Sequence, residues 1–275
     1  MTLLSLRAGR RLQIAAVGTL AALGVAQAVA ATLFTDGFET GTLNRTAQNG
    51  VAWIDSTSTA VSSSVAASGK YSLQFNFAGV PLGQDSFAEQ RITMPRKADY
   101  WFRYKLYVPT NYVHRLDDYA NNKFLAVYQA PYLKVNPGFQ VNFSLQPNSS
   151  GGSDVEVHHY NGGVEGPVQV VYRNFITDAD KGKWMDLIAE VKVPTSSTSK
   201  DGVMKLWKNN TQVVNITNMP SWGGTNGNYI DQAYFLGWSN SGFAQATALN
   251  IDDVTIADSS LIGAVPNPPT NVKAQ

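Results

Sequence analysis

The chain has 275 residues, of which 44% are hydrophobic and 15% charged, and it has no cysteine. That much apolar material excludes a disordered chain, and the missing thiols exclude a disulfide scaffold and any thiolate metal site. A formal net charge of +1 offers no general attraction to phosphate, so no nucleic-acid partner is expected, and the length suits one large domain.

Residues 1–31 read as an export signal. Arg7, Arg10 and Arg11 form a basic start, residues 12–25 an apolar run, and Ala26-Gln27-Ala28 and Ala28-Val29-Ala30 offer small residues for cleavage. The run is shorter than the roughly 20 residues of a membrane span. The Arg10-Arg11 pair is a hint of twin-arginine export. The expected mature protein is secreted, extracellular or periplasmic, with no membrane contact once the signal is removed. Without those three arginines it carries 18 basic against 20 acidic side chains.

From residue 32 onward the dominant period is two, the signature of strands. Tyr71-Ser72-Leu73-Gln74-Phe75-Asn76-Phe77 alternates without a break, as does Phe139-Gln140-Val141-Asn142-Phe143-Ser144-Leu145-Gln146. Asp154-Val155-Glu156-Val157-His158 does the same with the polar set shifted by one, and residues 184–193 put Met185, Leu187, Ala189, Val191 and Val193 on one side. Further strand-like runs are 87–94, 101–108, 123–129, 168–172, 203–208, 211–216, 233–238 and 250–257. Asn161-Gly162-Gly163, Asp201-Gly202, Gly223-Gly224 and the polar run 147–152 supply turns between them. No helix is expected beyond a turn near 178–181. At least ten short antiparallel strands predict an all-β fold, a two-sheet sandwich or jelly roll over residues 32–260. Residues 261–275 form a proline-rich tail or linker.

A sandwich strand turns one face to the core and the other outward. The outward set of 139–146 is Gln140, Asn142, Ser144 and Gln146, and that of 154–160 is Asp154, Glu156, His158 and Tyr160. Glu89, Arg91 and Thr93 share a face of a third strand. An ordinary solvated face carries scattered Lys, Glu and Thr. This one concentrates side chains that make directional hydrogen bonds, as a sugar-binding groove does.

Three stretches carry a family resemblance: Glu89-Gln90-Arg91, the run Asp99 to Pro109 (DYWFRYKLYVP) and the run Asn122 to Gln129 (NKFLAVYQ). They resemble the central strands of secreted concanavalin-A-like jelly-roll polysaccharide lyases, which act on alginate, glucuronan or heparin-type chains. Gly182-Lys183-Trp184 with Asp201-Gly202 through Trp207-Lys208-Asn209-Asn210 is similar to a strand pair of those enzymes. Phe34-Thr35-Asp36-Gly37-Phe38-Glu39 with Ile251-Asp252-Asp253-Val254 resembles their paired first and last strands. The resemblance covers about residues 33–258.

It implies β-elimination on a uronic acid. One group neutralises the sugar carboxylate so that the C5 proton becomes removable. A base takes that proton and an acid protonates the leaving oxygen. The alginate-lyase branch spaces a Lys, then polar residues, then an aromatic pair two apart. Lys123, then Asn142 and Ser144, then His158 and Tyr160 match that spacing, with His158 where a Tyr is expected. Where the heparin-lyase branch has Gln-x-His, Tyr128-Gln129 stands without the His. The resemblance therefore implies Tyr160 as acid, or as acid and base both, with His158 as base or orienter, and Lys123, Arg91 and Asn142 on the carboxylate. Gln129, Ser144, Gln140, Glu156 and Arg103 would contact the sugar.

Alternatives stay open. Arg91 beside Glu89 also reads as an ion pair. Asp154-Val155-Glu156 partly echoes the acid pair of a retaining glycoside hydrolase. Trp53, Trp101, Trp207, Trp222, Trp238 and Tyr132 would stack on sugars in a non-catalytic binding module. His114-Arg115, before Asp117-Asp118, reads as a loop or lid. No cofactor is required; a structural Ca2+ at Asp36, Glu39 and Asp252 or Asp253 competes with turn capping by the same carboxylates. The expected partner is an acidic polysaccharide, and the expected state a monomer.

Overall fold

The structure is a computed structural model, and it describes residues 32–116, 122–132, 138–161, 164–166, 169–220 and 229–263. The signal segment, Trp222, Asp117-Asp118, Gly223-Gly224 and tail residues 264–275 lie outside the described residues. In chain order the strands are β1 (Thr32–Asp36), β2 (Ala52–Thr57), β3 (Thr59–Ser62), β4 (Ser72–Phe77), β5 (Ser86–Lys97), β6 (Asp99–Tyr107), β7 (Asn122–Tyr128) and β8 (Gln140–Pro147). There follow β9 (Ser153–Asn161), β10 (Val164–Glu165), β11 (Gln169–Ile176), β12 (Trp184–Lys192), β13 (Gly202–Lys208), β14 (Thr211–Met219), β15 (Ile230–Ser239) and β16 (Thr247–Ala257). No helix occurs among the described residues, and so none long and apolar enough to cross a membrane.

Two antiparallel sheets result. The first runs β14-β13-β12-β6-β16-β4-β3, with β1 also on β16; the second runs β10-β9-β8-β7-β15-β5-β2, with β11 also on β9. The fold is an all-β jelly roll, with first and last strands paired (Phe34 opposite Ile256, Asp36 opposite Val254).

The core follows from the alternation. Leu106, Phe102 and Tyr104 of β6 and Leu187, Ala189 and Val191 of β12 come from one sheet; Val141, Phe143 and Leu145 of β8 and Ala233 and Phe235 of β15 come from the other. All belong to one buried cluster. Aromatic rings tie the layers together. Trp53 of β2 meets Phe34 of β1 edge-on at 5.3 Å and Phe235 at 5.6 Å, and Phe235 meets Tyr104 at 5.1 Å. Such contacts add about 0.5–1.5 kcal/mol each beyond burial of area.

The carboxylates considered for calcium are each engaged by donors of the protein. Asp36 is buried and accepts from Trp53 Nε1 (2.8 Å) and Phe38 N (2.7 Å). Burial pushes its carboxyl upward against those two bonds. Glu39 accepts from the backbone of Lys70 and Tyr71, while Asp253 pairs with Lys105 (2.9 Å) and accepts from Ser68 Oγ (2.6 Å). Asp252 accepts from Ala67 N and Ser68 N. Among the described residues, no group of three or more His, Asp or Glu side chains is arranged to hold a metal. These carboxylates tie loops down.

His114 is no lid residue. It is 1% exposed, packs edgewise on Tyr112 and against Phe243, and its Nδ1 shares a hydrogen bond with Ser153 Oγ at 2.9 Å. Ser153 Oγ also bonds Tyr112 Oη at 2.9 Å. Burial holds the imidazole neutral, its pKa pushed down to about 3. The unfolded chain takes up a proton near pH 6.5. Full stability is therefore present above about pH 6.5 and is lost as pH falls toward 3, by about 1.4 kcal/mol per pH unit at most. A His114→Phe variant is expected to lose this component. Unfolding curves of both proteins between pH 7 and 4 check it, and parallel curves contradict it.

Candidate active site

The pleat of the second sheet sets out its second face in rows. One row reads Arg91 (β5), Tyr234 (β15), Ala126 (β7), Asn142 (β8), His158 (β9), each opposite the next across the ladder. The adjacent row reads Thr93, Gln232, Tyr128, Gln140, Tyr160. A third joins Lys123 to Ser144 and Glu156. Two irregularities shape the Lys123 end. The β7–β8 register shifts between Lys123 and Leu125, sending both Phe124 and Leu125 into the core while Lys123 stays on the polar face. In β15, Leu236 (φ 55) and Gly237 (φ 127) break the ladder.

The structure thus brings Lys123, Arg91, Asn142, Ser144, Gln140, Glu156, His158 and Tyr160 onto one face, on the side away from the core cluster. Arg103 does not join them. It stands on β6 in the first sheet and makes a two-pronged ion pair with Asp186 (3.0 and 2.8 Å), because alternation alone cannot tell one sheet's outer face from the other's. Gln129 follows β7, and its amide donates to Tyr229 Oη (3.2 Å). His159 stands opposite Val141, so it turns away from His158.

The face is less open than its polarity implies. Gln140, Asn142, Ser144, Glu156, His158 and Tyr160 are all under 10% exposed, and solvent reaches chiefly Arg91, Thr93, Lys123, Tyr132 and Gln232. Two side-chain pairs are internal to it. His158 Nε2 contacts Glu156 Oε1, and Arg91 Nε contacts Glu89 Oε1. The ion-pair reading of Arg91 is therefore the observed one, although its two Nη groups are engaged by no described residue. Burial raises the Glu89 carboxyl, with the Arg91 bond opposing the shift. Lys123 Nζ donates to Asn240 Oδ1 at 3.2 Å.

Sequence reasoning singled out Tyr160, gave Tyr128 and Tyr234 no part in the site and counted Tyr132 only among the aromatics suited to stacking. Tyr128, Tyr132 and Tyr234 form a mutual cluster with ring centroids 5.0–6.0 Å apart, seated around the small Ala126. Tyr132 lies beyond the strand, after Pro131, so periodicity gave no signal for its place. Asn142 Nδ2 donates to Tyr132 Oη at 3.4 Å.

Several buried polar atoms of this face have no hydrogen-bond partner among the described residues: Tyr128 Oη, both amide atoms of Gln140, Asn142 Oδ1 and Ser144 Oγ. A buried polar atom left unpaired costs about 1–3 kcal/mol, and in native proteins such atoms are few. They stand on the neighbouring strands β7 and β8 and keep both donors and acceptors in hand. By contrast, Asp154 is engaged by Asn174 N (2.8 Å), Asn148 (3.0 Å) and Arg173 (3.4 Å).

A model of the polysaccharide lyase family matches residues 38–236, a span that contains the residues named on this face. The chain belongs to that family. The solved structure of an alginate lyase from a Chlorella virus resembles it with a TM-score of 0.58 at 10% identity, over 77% of this chain and 94% of that one. Alginate lyase Aly36B, as a double mutant in complex with alginate tetrasaccharide, resembles it with a TM-score of 0.55 at 11% identity, over 85% and 99%. At such identities the likeness is one of fold. No curated protein matches the sequence.

Two outcomes follow for this lyase-family face. Ser144→Ala removes an unpaired buried hydroxyl, so thermal stability is expected to hold or rise while affinity for polysaccharide falls about five- to tenfold, the worth of one hydrogen bond; melting and calorimetric titration read the two effects. At Gly237, a Cβ would lie 2.7 Å from Tyr234 Cε2 and 3.3 Å from Glu89 Oε2 at a positive φ. Gly237→Ala is therefore expected to cost about 1–3 kcal/mol, measured by denaturant unfolding.

Proposed function

We propose that this member of the polysaccharide lyase family is a secreted enzyme that cleaves a uronate-containing polysaccharide by β-elimination. The observation that carries the reading is the patch of unpaired polar atoms at Tyr128, Gln140, Asn142 and Ser144, bordered by the cations Arg91 and Lys123. Neutral hydrogen-bonding groups suit sugar hydroxyls, and the cations suit the carboxylate. Export is supported by the pattern of residues 1–31.

In the elimination, the C5–H bond breaks and its proton goes to a base. The electron pair forms the C4–C5 double bond, the C4–O bond breaks, and the leaving oxygen takes a proton. Charge builds on the carboxylate side, where Arg91, Lys123 and Asn142 stabilise it; one well-placed donor of this kind is worth about 10²–10³ in rate. Arg91 meets Glu89 through Nε, and its Nη fork suits a second carboxylate in the two-pronged manner typical of guanidinium. His158 serves as base, held in orientation by the carboxylate of Glu156 two residues earlier on the same strand. A phenol of the same face supplies the proton to the leaving oxygen.

A retaining hydrolase needs two carboxylates poised on the sugar. Asp154 is committed to Asn174 and Asn148, and Glu156 to His158, which disfavours that chemistry. The test is incubation of the mature protein with polymannuronate, polyguluronate and polyglucuronate. Ultraviolet absorbance from the new C4–C5 double bond is expected with at least one. Reducing ends without that absorbance would make the protein a hydrolase, and retention on a polysaccharide column with neither signal would make it a binding module.

A further inference from the structure

The reaction needs a proton donor that a polymer can reach, and the phenols of the polar face differ in just this respect. Tyr128, Tyr160 and Tyr234 are 0%, 3% and 1% exposed, whereas Tyr132 is partly open to solvent. Tyr132 also stands over the row that joins the charged and amide groups. Its ring packs on Ala126, Tyr128 and Tyr234. Ala126 lies between Tyr234 and Asn142 in the ladder, and Arg91 is the next residue beyond Tyr234. A larger side chain at Ala126 would fill the space that Tyr132 occupies.

The hydrogen bonds around Tyr132 have a direction. Asn142 Nδ2 has only hydrogens to offer, so it donates to Tyr132 Oη (3.4 Å). Tyr234 packs against the same ring at 5.0 Å, and burial keeps its own phenol protonated, well above an ordinary phenol. With Asn142 donating to it, the Tyr132 hydroxyl still has its own hydrogen to give to another group.

Resting on the β-elimination reading above, we infer that Tyr132, rather than the strand tyrosine Tyr160, is the catalytic acid that protonates the leaving glycosidic oxygen. As the C4–O bond breaks, the Tyr132 O–H bond breaks and its proton passes to that oxygen. The phenolate left behind is held by the donor already in place, Asn142 Nδ2. It regains its proton from water at the partly open edge. Burial raises Tyr132 above the ordinary phenol value, with hydrogen bonding opposing the rise, so the group is protonated at neutral pH, as an acid must be. Asn142 gains a second task, bracing the acid with Nδ2 while its unpaired Oδ1 faces the ligand.

Tyr132→Phe keeps the ring and its packing, so an unchanged melting temperature shows that the fold is intact. Its kcat on the polyuronate that the wild type cleaves is expected to fall about 10²-fold or more, with KM little changed. The decisive comparison is a uronide carrying nitrophenol on its C4 oxygen, a leaving group that departs without a proton. On that substrate Tyr132→Phe is expected to approach wild-type kcat, while on the polymer it does not. A wild-type kcat on the polymer, an equal loss on both substrates, or the same leaving-group rescue in Tyr160→Phe instead of Tyr132→Phe overturns the assignment. A wild type that makes no unsaturated product from any polyuronate overturns the β-elimination reading itself, and the assignment with it.

Discussion

Each polar side chain on the outer face of the second sheet is held by the burial of its own neighbours. Asn142 sits between Val141 and Phe143, both fully buried, and Glu156 sits between Val155 and Val157. A strand pleat sends successive side chains to opposite faces, so locking the apolar set in the core leaves the polar set only one direction. A slip of one residue would bury amides among the aromatic rings and expose Phe143 and Leu145. Each buried aliphatic or aromatic side chain is worth about 1.5–3 kcal/mol, and β8 alone contributes Val141, Phe143 and Leu145. The register is therefore strongly specified, and the functional face inherits its precision from the core at no separate cost.

That inheritance makes the unpaired polar atoms informative. Surfaces that only need to be soluble keep their amides and hydroxyls in water. Here Gln140, Asn142 and Ser144 are buried on the side away from the core, and atoms of all three lack partners among the described residues. The folded protein bears that desolvation, which a hydroxyl-rich ligand would relieve, so stability and affinity are set against each other at the same atoms. The departures from regular strand geometry fall beside this face too. The shift after Lys123 keeps a cation on it, and the break at Leu236 and Gly237 lets the backbone pass close beneath Tyr234 and Glu89.

The strands were legible because period-two alternation is a direct record of burial. The runs at 71–77, 139–146 and 184–193 correspond to β4, β8 and β12, and the pairing of the two chain ends was visible in the first and last motifs. The short β3 and β10 carry too few alternations to register. Topology was not legible. Arg103 alternates as Arg91 does, yet lies on the other sheet against Asp186. Exposure was misjudged for a related reason, since polarity says which face a residue takes but not what lies above it. His114 shows the same gap in reverse, a polar residue in a loop that the fold closes over. Asp36, Glu39 and Asp253 read equally well as ligands or as caps until their donors are seen. The position of Tyr132 left no trace in any periodicity, because it depends on the path of the chain after Pro131 rather than on a strand.

The histidine that replaces an expected tyrosine is best understood through Glu156. A tyrosine at position 158 would need no carboxylate beside it, and burying one there would oppose formation of a phenolate. An imidazole there instead meets the carboxylate two residues away on the same face, and that contact fixes which ring nitrogen turns toward it. Glu156 and His158 are thus coupled by the pleat, and the identity of one makes sense only with the other. The same logic separates the charges of the face. Glu89 pairs with Arg91 at the β5 end and Glu156 contacts His158 at the β9 end, so the neutral groups Tyr128, Asn142 and Gln140 lie between these two pairs. On the reading proposed above, a ring with one carboxylate and several hydroxyls would turn its hydroxyls to those groups and its charge to the Arg91 side, where the guanidinium retains donors that Glu89 does not use.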